Sequence, residues 1–283
     1  MEKLLLSEIA HCLNAECPEE KVITEISTDT RNLPAGCLFI AIKGERFDGH
    51  AFIKQAIENG AAAAVSEYPV DGCPCIVVKN TRTALLKLAK YYRSKFNPVL
   101  VGITGSVGKT TTKEMIALVL SEKYKTLKTQ GNLNNEIGLP KTLFNLDSSY
   151  QAAVIEMGMS DFGEIERLSN TAVPTIGVIT NIGFSHIENL KSQEGILKAK
   201  LEILSGMKSD APLIVNGDDR YLAPLKLELK SSRSVYLYGT GDKCDFRAKN
   251  IIEENDIVTV SPEQIKELFK EILKFHVQES ITF

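Results

Sequence analysis

A lysine and a run of threonines set directly behind paired glycines can hold a phosphate. The stretch VGITGSVGKTTTKEM, residues 101–115, ends a run of β-formers in such a turn. Phosphate binding needs donors with no side chains in the way, so Gly105 and Gly108 let backbone N–H groups approach while the next helix presents its positive end. Gly105, Ser106, Val107, Gly108, Lys109, Thr110 and Thr111 form the candidate cradle. Lys109 adds a point charge for the outer phosphates, and the Thr110 hydroxyl suits Mg²⁺. The spacing departs from the usual phosphate-loop pattern: Ile103 stands five residues before Gly108, and the early glycine is Gly102.

A nucleotide site also needs an acid for the metal. Glu156 closes the apolar run AAVIEMG, where its carboxylate faces a ligand edge or, alternatively, is a solvated strand end or the cap of a helix start. His186 follows VITNIG and reads equally as a structural residue or a ligand. Lys198 and Lys200, two apart in GILKAKLEIL, point in different directions on a helix, so at most one of them faces the site.

These residues need strands and helices to hold them. From Pro98 onward, apolar β-rich runs (VLVGITG, AAVIEMG, TIGVITNIG, APLIVNG, SVYLYGT) alternate with helical patterns (TKEMIALVLSEK, GEIERLSN, QEGILKAKLEIL). Continuous apolar strands between helices predict an α/β fold with a mostly parallel sheet covered on both faces. In such a sheet ligands bind beyond the strand C-termini, where Asn181, Asn216 and Asp218 also fall. Residues 1–82 read as a small N-terminal α/β module, with AFIKQAIENGAAAAV helical up to a cap at Gly60. The helical stretch TRTALLKLAKYYRSKF opens a central domain, 83–260, and SPEQIKELFKEILKF predicts an amphipathic tail helix within 261–283.

At 283 residues with 43% hydrophobic content, the chain can build two cores. A formal net charge of −3 gives no field to gather nucleic acid. No apolar run approaches the ~18 residues of a membrane span, and the N-terminus lacks a secretory pattern, so a cytoplasmic location is expected; a monomer is the expected state. Six scattered cysteines without a C-x-x-C pair predict reduced thiols.

Several stretches, in order, resemble the Mur ligases of peptidoglycan synthesis: STDTRNLPAGCLFIAIKGERFDGHAF, ITGSVGKTTTKEM, GNLNNEIGLPKTLFNL, VIEMGMSDFGEIERLSN and IGVITNIGFSHIENLKSQEGILKAKLEI. The wording of NLNNEIGLP and TTTKEM is similar to the branch that joins D-alanyl-D-alanine to a UDP-N-acetylmuramoyl-tripeptide. The resemblance implies an ATP- and Mg²⁺-dependent amide ligation through an acyl phosphate. It implies that Thr110 and Glu156 serve a first metal, His186 a second, and Lys200 carries a carbamate, with Lys109, His186 and Lys200 as the catalytic set. Ser27, Thr30, Arg31, Lys43, Asp48 and His50 look like the grip on the UDP end, and Asn134 and Asn135 like a loop reaching between nucleotide and sugar-peptide. It covers roughly residues 1–250. The family's third, closing domain is not recognisable here, so the expectation is impaired ligation, or a non-catalytic fragment that still binds substrate and nucleotide.

Overall fold

Two parallel sheets and two antiparallel strand pairs, Leu4–Leu5 with Val22–Ile23 and Ile252–Glu254 with Ile257–Thr259, supply the strands of the computed structural model, whose described residues are 1–44, 47–248 and the backbone of 252–254 and 257–259. The expected tail helix within 261–283 lies outside them.

The smaller sheet pairs Ile26–Ser27, Leu38–Ile40, Ala63–Ser66 and Cys75–Val77 in chain order, all parallel. Alternation along Leu38–Ile40 sends Phe39 to one face, with Ile53 and Ala56, and Leu38 and Ile40 to the other. The expected helix before Gly60 forms as a tight turn, Gly49–Phe52, running into a helix, Ile53–Glu58. Gly60 follows at φ 99°, a backbone conformation that glycine adopts without a Cβ penalty, and Ala63–Ser66 beyond it is strand.

A capped helix, Thr81–Ser94, leads out of this sheet; the Asn80 side chain accepts from the Thr83 N–H at 2.8 Å. Its buried stripe of Leu85, Leu88, Ala89 and Tyr92 packs toward both halves of the chain. The Tyr92 hydroxyl donates to the Leu146 carbonyl at 2.6 Å, and buried Arg93 donates to the Ala172 carbonyl at 2.8 Å. One apolar cluster therefore runs from Leu4 and Ile9 through this helix to Leu139, Ile165 and Leu168.

The larger sheet has seven strands, all parallel, in the spatial order Phe246–Arg247, Val235–Gly239, Leu213–Asn216, Ile176–Ile179, Val99–Thr104, Ala152–Glu156 and Thr126–Lys128. Helix Lys109–Ser121 covers one face through Ala117 and Leu120, against Val101, Ile103, Ala152 and Val154. Helices Glu164–Ala172 and Gln193–Leu201 cover the other through Ile165, Leu168, Ile196 and Ala199. After Val99–Thr104 the chain first builds strands on one side and then crosses to the other. That reversal opens a crevice at the C-terminal end of Val99–Thr104, between its two neighbours. No helix among the described residues is long and apolar enough to cross a membrane.

Candidate functional site

The cradle sits in that crevice. Gly105 has φ 152°, and a Cβ there would lie 1.8 Å from the Thr180 Oγ1; Gly108 has φ 80°. Both positions favour glycine, the first for lack of space and both for backbone shape. Behind Gly108, helix Lys109–Ser121 begins, and its first N–H groups have no intrahelical partners.

The segment after strand Ile176–Ile179 holds the turn in shape. The Asn181 side-chain oxygen accepts from the Ser106 and Val107 N–H groups at 3.0 and 2.9 Å, and the Thr180 hydroxyl donates to the Val107 carbonyl at 2.6 Å. The Gly183 N–H donates to the Ser106 Oγ at 2.9 Å. Asp219 in turn accepts from the Ile182 N–H at 2.7 Å. These bonds engage the amides of residues 106 and 107, so the donors that point away from the protein are those at the helix start. Lys109 folds back, with its Nζ donating to the Gly105 carbonyl at 2.9 Å, poised over the same turn.

Against Thr110 lies a buried carboxylate. Glu156 is 2% exposed; one oxygen accepts from the Thr110 hydroxyl at 3.0 Å and the other from the Asn134 side-chain amide at 2.8 Å. Both donors are neutral, and among the described residues no cationic side chain is bonded to this carboxyl group. Hard oxygen donors of this kind suit Mg²⁺. Among the described residues no three His, Cys, Asp or Glu side chains cluster. The protein oxygens therefore fit an ion that keeps several waters and shares its shell with substrate phosphates, rather than a closed protein cage.

Asn135 supports the Asn134 loop: its side-chain oxygen accepts from the Gly138 N–H at 2.8 Å, at the start of helix Gly138–Leu143. The next residue, Glu136, pairs with Arg167 and, at 3.6 Å, with Arg82 of the linking helix.

The two lysines of helix Gln193–Leu201 separate as helical geometry requires. Lys198 is exposed, with its Nζ 5.8 Å from the centre of the Phe162 ring, whereas Lys200 is 2% exposed. Burial, and secondarily the Lys109 charge, lowers the Lys200 amine to about 7. A neutral amine near pH 7 is nucleophilic and can take up CO₂. His186 has an exposed ring and a left-handed backbone at φ 63°, at the start of the short helix Ile187–Leu190.

In the smaller sheet the candidate residues are largely engaged with one another. Arg31 forks onto Asp29, with Nη2 to Oδ2 at 2.6 Å, and Ser27 bonds Asp29 through its own turn. Asp48 caps the Gly49–Phe52 turn and meets the His50 Nδ1 at 2.6 Å, while the His50 Nε2 accepts from the Glu67 N–H at 3.0 Å. Both nitrogens of buried His50 are thus in use. Lys43 pairs with Asp48 through a backbone bridge, and Thr30 lies partly exposed beside Arg31. Ser27 also lines a cavity of about 320 Å³ with Glu25, Lys141 and Asn145.

Thr180 and Asp219, which brace the site, were not singled out in the sequence, although each stands next to a residue that was, Asn181 and Asp218. Asn181 was marked only by its place beyond a strand end.

Comparison with known proteins shows the family. The Mur ligase middle domain model matches residues 103–278, and the model for the Mur ligase family, catalytic domain, matches 22–93. The UDP-N-acetylmuramoyl-tripeptide--D-alanyl-D-alanine ligase of Bacillus subtilis is 46% identical over 242 residues, which is 84% of this chain and 52% of that protein. The Escherichia coli ligase of the same name is 39% identical over 254 residues, 89% of this chain and 56% of the relative. A crystal structure of MurF from Acinetobacter baumannii superposes with a TM-score of 0.86 at 33% identity, covering 92% of this chain and 58% of that one. MurF from Thermotoga maritima, in complex with ADP, gives 0.77 at 29% identity, over 91% and 64%. This chain spans about half the length of the curated relatives it matches. The glycine turn braced by Asn181, the buried carboxylate against Thr110 and the two domain matches converge on one conclusion: the chain belongs to the Mur ligase family.

Proposed function

We propose that this chain carries the substrate-gripping and ATP-binding parts of a ligase that adds D-alanyl-D-alanine to UDP-N-acetylmuramoyl-tripeptide. The observation that carries the reading is the meeting of the Thr110 hydroxyl and the buried Glu156 carboxylate at 3.0 Å, directly behind a cradle that ends in Lys109. That arrangement suits a nucleotide whose outer phosphates are to be transferred.

In this reading residues 83–260 hold ATP and residues 1–82 hold the UDP end of the substrate. The N–H groups at the start of helix Lys109–Ser121 receive the phosphates, and Lys109 exchanges its bond to the Gly105 carbonyl for a phosphate oxygen. Thr110 and Glu156 hold Mg²⁺, with Asn134 orienting the carboxylate. The ion supplies charge neutralisation on the transferred phosphoryl group. A carboxylate oxygen of the tripeptide attacks the γ-phosphorus of ATP and ADP leaves; the amine of D-alanyl-D-alanine then attacks the acyl carbon, losing a proton as phosphate departs. Lys109 stabilises charge building on the phosphoryl oxygens, and the work of the site is positioning plus electrostatics.

Lys200 acts as a carbamate: CO₂ adds to its neutral amine, a proton is lost, and a buried near-neutral lysine becomes an anion that extends the metal site. His186 serves a second ion. Ser27, Thr30, Arg31 and Lys43 bind the UDP end, where the guanidinium and ammonium suit a diphosphate. Asp48 and His50 contribute through the loop they hold together, and Asn135 keeps the 131–137 loop against the nucleotide side. The chemistry belongs in the cytoplasm, where ATP is available.

The test is phosphate release together with mass spectrometry of the product, using purified chain, ATP, Mg²⁺, UDP-N-acetylmuramoyl-tripeptide and D-alanyl-D-alanine, beside Lys109→Ala. Pentapeptide product that requires Lys109 establishes ligation by this chain. Binding of both ATP and UDP-substrate without product restricts it to recognition, and failure to bind either one refutes the proposal.

A further inference from the structure

Lys113 is the one lysine of the cradle helix that the reading above leaves unused, and it is 1% exposed. A buried ammonium is costly, and an apolar side chain of the same length would fill the space without that cost. Its contacts indicate what the charge does there. The Nζ donates to the Thr129 main-chain carbonyl at 2.8 Å and pairs with Glu114 at 3.0 Å. Thr129, fully buried, uses its hydroxyl oxygen to accept the main-chain N–H of Glu156 at 2.9 Å, and its own N–H donates to the Val154 carbonyl at 3.0 Å.

One helix thus reaches Glu156 by two routes. Thr110 touches the carboxylate, and Lys113, one turn further on, fixes the backbone behind it through Thr129. Thr129 lies just past strand Thr126–Lys128, at the sheet edge, where the seven-stranded ladder supplies no further neighbour. Without Lys113, the Thr129 carbonyl would be buried without its charged donor, and the end of strand Ala152–Glu156 would lose a fixed reference.

We propose that Lys113 is a positioning residue for metal-dependent nucleotide binding, holding Thr129 so that the Glu156 carboxylate stays in register with Thr110. The inference rests on the reading of Glu156 as a metal-binding carboxylate. It separates Lys113 from Lys109: the first acts through the protein, the second on the phosphates.

The measurement is calorimetric binding of a non-hydrolysable ATP analogue to the full chain, once with Mg²⁺ and once with EDTA, for the parent chain and for Lys113→Met, Thr129→Val and Glu156→Gln. The ratio of the two Kd values is the readout. Lys113→Met is expected to reduce the Mg²⁺ enhancement by about tenfold while leaving the EDTA affinity within about twofold. Thr129→Val, which keeps the shape and deletes the acceptor, should act in the same direction and decides the matter if Lys113→Met does not fold. A merely structural role would weaken both affinities together and leave the ratio unchanged, which overturns the inference. Loss of the enhancement in Glu156→Gln with an unchanged ratio in the other two overturns the inference alone. An enhancement that survives Glu156→Gln overturns the reading beneath it.

Discussion

The proposed phosphate cradle and the proposed N-terminal grip are built on different principles. Around the cradle, the neighbours brace the turn while the first N–H groups of the following helix remain open: Asn181 and Thr180 hold residues 106 and 107, and the Thr110 hydroxyl is held by Glu156. In the smaller sheet the candidate groups are already bonded within the chain, Arg31 to its neighbour Asp29 and Asp48 to His50. A braced site is preorganised, so each of its parts contributes strongly; a self-satisfied one exchanges internal bonds for ligand bonds, and the net gain per residue is small.

The largest expected effect tests the bracing itself. Gly105→Ala places a Cβ against Thr180 Oγ1 in a backbone shape that alanine rarely adopts, and should cost about 3 kcal/mol in denaturant unfolding together with loss of nucleotide binding. An unaltered chain would mean that the cradle is not rigid. Next, Lys109→Ala should weaken ATP binding roughly a hundredfold, about 2.7 kcal/mol, with UDP-substrate affinity unchanged. Equal losses for the two ligands would merge the regions that the comparison separates.

A third effect concerns pH. The folded Lys200 amine titrates near 7, against 10.5 for an ordinary lysine. Between these values the unfolded chain holds a proton that the folded chain lacks, so the lysine's penalty on folding is greatest below pH 7 and fades as pH rises toward 10. In CO₂-free buffer, Lys200→Met should therefore stabilise the chain by on the order of 2 kcal/mol at pH 6 and by little at pH 10. Thermal melts across pH check this, and a gain independent of pH argues for packing rather than charge. The smallest effect belongs to the exposed grip: Arg31→Ala should weaken UDP-substrate binding roughly fivefold without moving Tm. A hundredfold loss there would show that the grip is as preorganised as the cradle.

The legibility of the two regions differed for the same reason. Gly105, Gly108, Lys109 and Thr110 are consecutive or nearly so, and a phosphate turn is a local device whose residue types follow from backbone geometry. The five main strands of the larger sheet could be read because strands buried on both faces are continuously apolar. Its two edge strands, Thr126–Lys128 and Phe246–Arg247, are short and mixed in character, and no apolar run marked them. The N-terminal assignments came from resemblance. Spacing alone could not have shown that both nitrogens of His50 face inward, because the Glu67 amide that fills one of them comes from a different strand end.

Local chemistry in the sequence by itself determined the α/β class, the phosphate-holding turn with its helix, and the rule that Lys198 and Lys200 diverge. Only the tertiary structure decided which of the two is buried, that Asn181 braces the cradle, that Asn134 and Thr110 meet on Glu156, and that Lys113 reaches Glu156 through Thr129. Those pairs lie between 16 and 75 residues apart in the chain. Contacts at such separations are set by the order in which strands enter a sheet, and no residue carries that order in its own side chain.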